Sequence, residues 1–314
     1  MVRKGQNMAQ AMMERGTKIH ETRADRAFNV VLYILLALML VVVIYPLWFV
    51  LVASVSDPQY VNSGTPLLWP KGFTLMGYSR VFADSRIWTG YGNTLIYASL
   101  GTILAVCVQV MAGYSLSRRD LPGRNIFMAL YVFTMYFGGG LIPFYLIVKS
   151  LNLVNTRLLM IILGCASVYN IIIVRSFFVS SLPTELYEAA SIDGCTNQRY
   201  FFSIVLPLSK AIIAVIALYA LVGQWNSYFN AMIFLTDRSK YPLQLYLREI
   251  LLSAKTYEDA SLVGADAETA AKMEQMVEVI KYGVIVVSTL PVIIIYPFLQ
   301  KYFVQGVMIG AVKG

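Results

Sequence analysis

The side chains that could do chemistry in this chain are mostly polar but uncharged, and four of them fall in one apolar stretch. Gln224, Asn226, Tyr228 and Asn230 lie within a run of largely apolar residues. Amide and hydroxyl groups in such a setting can either pair with a polar solute or bond a neighbouring helix. The sole histidine is His20, so the sequence lacks the residues for Ser-His-Asp catalysis or a histidine metal site.

These candidates need helices to position them. On a continuous helix, residues 224 and 228 share one face and residues 226 and 230 share another, so at most one pair is expected to face a central cavity. Tyr136 precedes three consecutive glycines, 138–140, and then Pro143. Because both residue types weaken a helix, this stretch predicts a bend or gate, with Tyr136 as a further candidate in the solute path.

A second group of residues lies in the polar segment 181–208, SLPTELYEAASIDGCTNQRYFFSIVLPL. Its pattern predicts two short helices around a turn: Pro183 suits a helix start, Asp193-Gly194 suits a left-handed cap, and Pro207 ends the second helix. Leu186, Ala189 and Ala190 are predicted to share one face. Such a hairpin suits a groove on a partner protein, with Glu188 fixing its orientation, although an amphipathic loop lying on a membrane is the alternative.

The rest of the chain has the composition of a membrane protein. Hydrophobic residues make up 58% of it and charged residues 13%, and blocks long enough to cross a bilayer recur along the sequence. Since the blocks do not alternate polar with apolar residues, they predict helices and not barrel strands. The fold class is therefore an all-α membrane protein with six spans, at approximately 28–53, 91–116, 126–148, 158–179, 211–235 and 282–299.

Basic residues set the predicted orientation, because Lys and Arg favour the cytoplasmic side. With both termini inside, 14 of the 25 basic residues are cytoplasmic, and most of the remaining 11 lie in one long segment with balancing acidic residues. The predicted organisation is a cytoplasmic tail (1–27), a membrane domain (28–300) and a second cytoplasmic tail (301–314). Within the domain, 181–208 is a cytoplasmic loop, and 54–90 and 236–280 are extracytoplasmic loops.

Several function classes are disfavoured. The chain has no Gly-x-x-x-x-Gly-Lys-Ser/Thr run, so any nucleotide must be bound by another chain. The spans hold almost no ionisable residues, which argues against an ion-gradient-driven secondary transporter. The net charge of +8 forms no basic stripe with interleaved aromatics, so membrane lipid and not nucleic acid is the expected surface.

The segment 181–208 resembles the EAA signature of membrane subunits of bacterial ABC importers, Glu-Ala-Ala-x-x-x-Gly followed by Ile-x-Leu-Pro. Every fixed position of that signature is present, at Glu188, Ala189, Ala190, Gly194, Ile204, Leu206 and Pro207. The run 225–228 (WNSY) and the C-terminal QKYFVQGVMIGAVKG resemble the carbohydrate-uptake branch, in particular the smaller maltose-transporter permease. The sequences ETRADRAFNVVLYILL and SVSDP look most like permeases for complex oligosaccharides or polysaccharide fragments.

The resemblance implies a type I importer permease, multi-pass in the bacterial cell membrane, that forms half of a translocation pathway for an oligosaccharide. It implies four kinds of partner: a second homologous permease, a cytoplasmic ATPase dimer, an extracellular solute-binding protein and the sugar. ATP and Mg²⁺ belong to the ATPase, and this chain binds no cofactor. The ATPase is expected to grip the EAA helix at Glu188, Ala189, Ala190, Asp193 and Gly194. A non-sugar cargo is the alternative within the family.

Overall fold

The computed structural model describes residues 22–62, 68–261, 277 and 280–297. No β-strand occurs in these residues, and their regular elements are helical, which confirms the all-α prediction for the described part of the chain. Most of the predicted N-terminal tail, the segment 262–276 and the predicted C-terminal tail 301–314 lie outside the described residues.

The chain divides into two compact units, residues 1–52 and 53–314. Most of the first helix, α1 (Arg23–Ser54), belongs to the first unit. A reciprocal cap begins it, since the Asp25 amide donates to Thr22 Oγ1 and the Thr22 amide donates to Asp25 Oδ2. Its apolar side chains, from Phe28 to Leu47, are exposed along its length. A helix of this length and composition buries such a surface in lipid.

The second unit is a succession of helices. Its first half contains Pro58–Asn62 (α2), Met76–Ala83 (α3), Ser85–Ser117 (α4), Arg124–Tyr136 (α5), Leu141–Ser150 (α6), Arg157–Ile162 (α7) and Val168–Ser181 (α8). Its second half contains Thr184–Ile192 (α9), Asn197–Leu208 (α10), Lys210–Trp225 (α11), Tyr228–Phe234 (α12), Leu243–Ser261 (α13) and Ile280–Pro297 (α14). Within α10, Phe201–Val205 forms a π-helical turn.

Three helices in the described residues are long and apolar enough to cross a membrane: α1, α4 and α14. Two bent pairs pass the same test together. Helices α5 and α6 meet at 114°, and α10 and α11 meet at 80°. The first bend lies at Gly138–Gly140, as predicted from the glycines and Pro143. The total of six spans remains a prediction.

Besides the bent pair α5 and α6, two further predicted spans are not continuous helices. The block 158–179 is divided into α7 and α8 by the non-helical residues 163–167. Side chains from other helices bond the carbonyls of this interruption: Gln109 Nε2 donates to Cys165 O at 3.0 Å, and Gln224 Nε2 donates to Leu163 O at 2.7 Å. The block 211–235 is likewise divided, because α11 ends at Trp225 and α12 begins at Tyr228.

Helix α4 is the centre of the second unit and packs against α8, α11 and the start of α13. At the crossing with α8, Gly113 leaves no room for a side chain: a Cβ there would lie 2.5 Å from Val174 Cγ1 and 3.1 Å from the Arg175 amide nitrogen. The largest cluster of buried residues lies at this end of α4, where α8, α10 and α11 meet. Close contact between α4 and α8 therefore depends on a residue without a side chain.

A buried amide pair also joins α4 to α8. Gln109 is fully buried, and its Oε1 accepts a hydrogen bond from Asn170 Nδ2 at 3.0 Å while its Nε2 bonds the carbonyls of the 163–167 interruption. Replacing Gln109 by leucine leaves Asn170 and these carbonyls without that partner. We expect the free energy of unfolding to fall by about 1–3 kcal/mol.

Thermal unfolding in detergent measures this effect, with Gln198→Leu as the matched control because Gln198 is an exposed amide on α10. Equal melting temperatures for the two variants would contradict the structural importance of the Gln109–Asn170 pair.

Candidate coupling hairpin and solute cavity

Helices α9 and α10 form the compact hairpin that the sequence predicts over 181–208; residues 184–208 are called the hairpin below. The turn is built on Gly194, whose φ is +72°. The Gly194 amide donates to Ser191 O at 3.1 Å, and the Cys195 amide donates to Ala190 O at 2.9 Å. This pair of bonds is a Schellman motif, and its left-handed residue favours glycine. The predicted left-handed cap is confirmed.

The second helix of the hairpin begins at a Thr196 cap, where Thr196 Oγ1 accepts from the Arg199 amide. It continues through Pro207 and ends at Leu208, one residue later than predicted. Ser209 is the point of the 80° bend into α11. Its buried hydroxyl donates to Val205 O at 2.7 Å, which satisfies one carbonyl of the preceding turn.

The inner face of the hairpin is anchored in the bundle by apolar packing. Ala190 and Tyr200 are buried in one cluster with Val174 and Phe178 of α8 and Ile212 of α11. The cluster also includes Ile204 and Leu206, which are partly buried. Because the buried neighbours in this cluster come from α4, α8 and α11, the hairpin is held to the bundle from several sides.

The outer face of the hairpin is open to a partner. Glu185, Glu188, Ala189 and Ile192 are exposed and follow the i, i+3, i+4, i+7 spacing of one helical ridge. Ile192 is 86% exposed, an unusual state for a large apolar side chain. Ala189 therefore points outward, and the prediction that it shares a face with Leu186 and Ala190 is wrong. On the 3.6-residue period, Ala190 turns inward and Ala189 does not.

A cavity of about 280 Å³ lies between the interruption at 163–167 and the junction of α11 and α12. Gln224, Ser227 and Asn230 line it from the junction. Ser167, Asn170 and Tyr219 contribute further hydroxyl and amide groups to its lining. Among the residues that the structure describes, the wall offers hydrogen-bond donors and acceptors but no charged side chain.

The break in the fifth block explains why two predicted path residues meet in this cavity. With helix ends at Trp225 and Tyr228, the single-helix spacing no longer applies, so Gln224 and Asn230 line one space. The expectation that 224 pairs with 228, and 226 with 230, is wrong for this reason. Asn226, Tyr228 and Tyr136 are exposed and lie outside the lining, and Asn226 Nδ2 bonds Val222 O at 3.0 Å.

Comparison with known proteins identifies the family. The chain is 36% identical over 296 residues to protein LplC of Bacillus subtilis (strain 168), covering 94% of this chain and 98% of the relative. It is 37% identical over 290 residues to the polygalacturonan/rhamnogalacturonan transport system permease protein YtcP of the same organism, covering 92% and 99%. No family model matches the chain.

A solved structure agrees. The fold superposes on a chain in the crystal structure of a bacterial ABC transporter that imports the acidic polysaccharide alginate, with a TM-score of 0.80 and 32% sequence identity. The match covers 90% of this chain and 99% of the other. The chain belongs to the permease subunits of ABC importers. It is a membrane protein, and its long helices are apolar enough to span a membrane.

The eight positions predicted to couple the permease to an ATPase fall on the two faces just described. Glu188, Ala189, Asp193, Gly194 and Pro207 are exposed, Ala190 is buried, and Ile204 and Leu206 are partly buried. The motif thus combines outward positions with positions that fix the hairpin to the bundle.

Sequence reasoning missed Ile192 on the ridge and Ser227, Asn170 and Tyr219 in the cavity. A signal for Ile192 was available, because it lies three and four residues after Ala189 and Glu188.

Substitution of Gly194 tests the turn of the permease hairpin. Because a Cβ at Gly194 meets no atom within 4 Å, the effect of alanine comes from the left-handed backbone alone. We expect Gly194→Ala to lower the free energy of unfolding by about 1 kcal/mol and Gly194→Asn to lower it less, since asparagine tolerates this conformation. Thermal unfolding of the detergent-purified variants measures both changes in the free energy of unfolding. Gly92→Ala is the control, because Gly92 also has open space but lies inside α4; an equal loss there would show that the φ of Gly194 is unimportant.

Proposed function

We propose that this permease forms half of the translocation pathway of a type I ABC importer for oligosaccharides derived from complex polysaccharides. The observation that carries the proposal is the uncharged polar cavity beside Gln224, Ser227 and Asn230. Sugars present many hydroxyls, with which amide and hydroxyl groups in a cavity can form hydrogen bonds. The names of YtcP and of the alginate importer favour a polysaccharide-derived cargo.

The hairpin is the proposed contact with the partner ATPase. A ridge with an exposed Ile192 between acidic and small residues suits insertion into a groove, with the apolar side chain as anchor and Glu188 as the orienting charge. ATP and Mg²⁺ are then bound by the ATPase, and closure of the ATPase dimer moves the hairpin and rocks the bundles between inward-open and outward-open states. Both termini and the hairpin lie on the cytoplasmic side in this proposal.

The full assembly contains a second permease, two ATPase subunits and an extracellular solute-binding protein. Affinity purification of the tagged chain in mild detergent tests it directly. Recovery of a second permease and an ATPase, with hydrolysis stimulated by a binding protein loaded with oligosaccharide, supports the proposal. A lone chain that transports in vesicles without ATP would overturn it.

Asn230→Leu tests the cavity as part of the sugar path. Because leucine removes one hydrogen-bonding amide from the lining, we expect the KM for sugar uptake to rise about tenfold, the effect of about 1.4 kcal/mol, while ATPase binding is unchanged. Uptake into vesicles at graded concentrations of loaded binding protein measures the KM.

Asn125→Leu is the matched control, since Asn125 is an exposed amide of α5 outside the lining. Asn226→Leu examines the path position proposed from sequence. If the KM values of Asn230→Leu and Asn125→Leu are equal, Asn230 has a packing role and does not contact the sugar.

A further inference from the structure

Arg118 follows the last residue of α4 and lies where that helix meets the hairpin. Its guanidinium donates to both carboxylate oxygens of Asp120, from Nε at 2.8 Å and from Nη2 at 2.6 Å. Its side chain is only 15% exposed, against 63% for Asp120. Hydrogen bonding to Arg118 lowers the pKa of the Asp120 carboxyl and raises the pKa of Arg118, so both groups are charged at neutral pH.

The same guanidinium covers an aromatic ring of the hairpin. Its central carbon lies 3.7 Å from the ring centroid of Tyr187, a cation–π contact, and its Nη1 lies 3.4 Å from the hydroxyl of Tyr114 one turn back on α4. Arg118 therefore connects three points: the end of α4, the loop after it and the first helix of the hairpin.

Tyr187 carries the connection into the second helix of the hairpin. Its hydroxyl donates to Asn197 Oδ1 at 3.1 Å, and its ring packs edge-on against Tyr200 at 5.2 Å between centroids. It directly precedes Glu188, the first residue of the EAA signature. Because Tyr187 and Glu188 are consecutive, a displacement of the hairpin ridge also moves the ring beneath Arg118.

Among the described residues, the other contacts between the hairpin and the bundle are those of the apolar cluster around Ala190, Phe178 and Ile212, in which Phe201 of the hairpin packs on Tyr114 of α4 at 4.8 Å between ring centroids. The hydrophobic effect that drives such packing is itself non-directional. A planar guanidinium on an aromatic face, held by a two-point bond to a carboxylate, fixes both a direction and a distance. This second kind of contact therefore adds a directional constraint between α4 and the hairpin.

We propose that Arg118 is a positioning residue for energy coupling: its contact with Tyr187 fixes the orientation of the hairpin relative to α4, so that movement of the ATPase is transmitted to the transmembrane helix. This inference rests on the proposed ATPase contact. It assigns a coupling role to a residue outside the EAA signature.

The test uses the reconstituted assembly in vesicles and compares ATP hydrolysed with sugar imported. Arg118→Lys keeps the charge but loses the planar stack and the two-point bond. Tyr187→Leu removes the ring, whereas Tyr187→Phe keeps the ring beneath Arg118 and loses the hydroxyl bond to Asn197. Arg119→Ala is the matched control, since Arg119 is the neighbouring exposed arginine. We expect the number of ATP molecules hydrolysed per sugar to rise roughly three- to tenfold in Arg118→Lys and Tyr187→Leu, and to stay at the wild-type value in Tyr187→Phe and Arg119→Ala.

A double variant separates coupling from general damage. If the two side chains act through one contact, Arg118→Lys with Tyr187→Leu is no worse than either single variant, whereas independent structural defects multiply. Wild-type stoichiometry in Arg118→Lys, multiplied defects in the double variant, or loss of the ATPase from purified Arg118→Lys assemblies would each overturn the inference. Absence of sugar-stimulated hydrolysis in the wild type would instead overturn the proposed function.

Discussion

Replacing Gly113 by valine is expected to prevent stable folding of the second unit. A Cβ at this position would lie 2.5 Å from Val174 Cγ1 and 2.7 Å from Val174 Cβ, distances at which atoms overlap. Val174 is fully buried and the Arg175 amide is backbone, so neither can move aside. The helices α4 and α8 must separate, at a cost of about 3 kcal/mol or more.

The yield of monodisperse protein and its thermal unfolding in detergent measure this effect. Gly92→Val is the matched control, because it places the same side chain in the same helix where a Cβ meets no atom within 4 Å. A Gly113→Val variant as stable as Gly92→Val would show that α4 and α8 do not cross as described.

Reversing the charge at Glu188 is expected to abolish uptake while leaving the membrane bundle folded. Glu188 is exposed, and the buried hairpin residues around Ala190 do not depend on it. If the ATPase groove holds this carboxylate, lysine replaces an attraction by a repulsion, which costs several kcal/mol at a close interface. We expect Glu188→Lys to reduce ATP-driven uptake more than about a hundredfold, corresponding to a loss of about 3 kcal/mol.

Co-purification of the ATPase with the variant reports docking, and the melting temperature of the variant reports folding. Glu249→Lys, a charge reversal on α13, is the control and is expected to retain the ATPase. Normal uptake by Glu188→Lys would contradict the proposed docking role. A fall in the melting temperature of Glu188→Lys large enough to account for its loss of uptake would show that Glu188 stabilises the fold instead.

The parts of the structure that sequence predicts well are those set by local chemistry. The cap at Gly194 follows from the tolerance of glycine for left-handed backbone, and the bend at 138–140 follows from three glycines before Pro143. The buried and exposed faces of the hairpin could be predicted only in part, because three small residues in succession give no clear hydrophobic periodicity. Ala189 was therefore assigned to the wrong face.

The parts that sequence misses depend on distant residues. Hydropathy runs unbroken through 163–167, and the interruption is stabilised by Gln109 and Gln224, each more than fifty positions away. The break after Trp225 is similar, because Trp225 Nε1 bonds Ser288 O at 3.0 Å on α14. The start of α4 at Ser85, six residues before the predicted 91, follows from the Asp84 cap and from Ile87, which packs against Leu243. Apart from the Asp84 cap, which is local, no short window of sequence contains these contacts.

The π-helical turn at Phe201–Val205 has a consequence for how such permeases diverge. A π turn holds one more residue than an α turn, so an in-frame deletion of one codon there would restore regular winding. In a regular α-helix, by contrast, a one-residue deletion rotates the following segment by about 100° about the helix axis. Because the π turn takes up its extra residue within a single turn, a one-residue deletion within it would leave the helical segments before and after it close to their present phase. The π turn is therefore a place where the second helix of the hairpin can lose one residue while Glu188 and Ile192 keep their orientation.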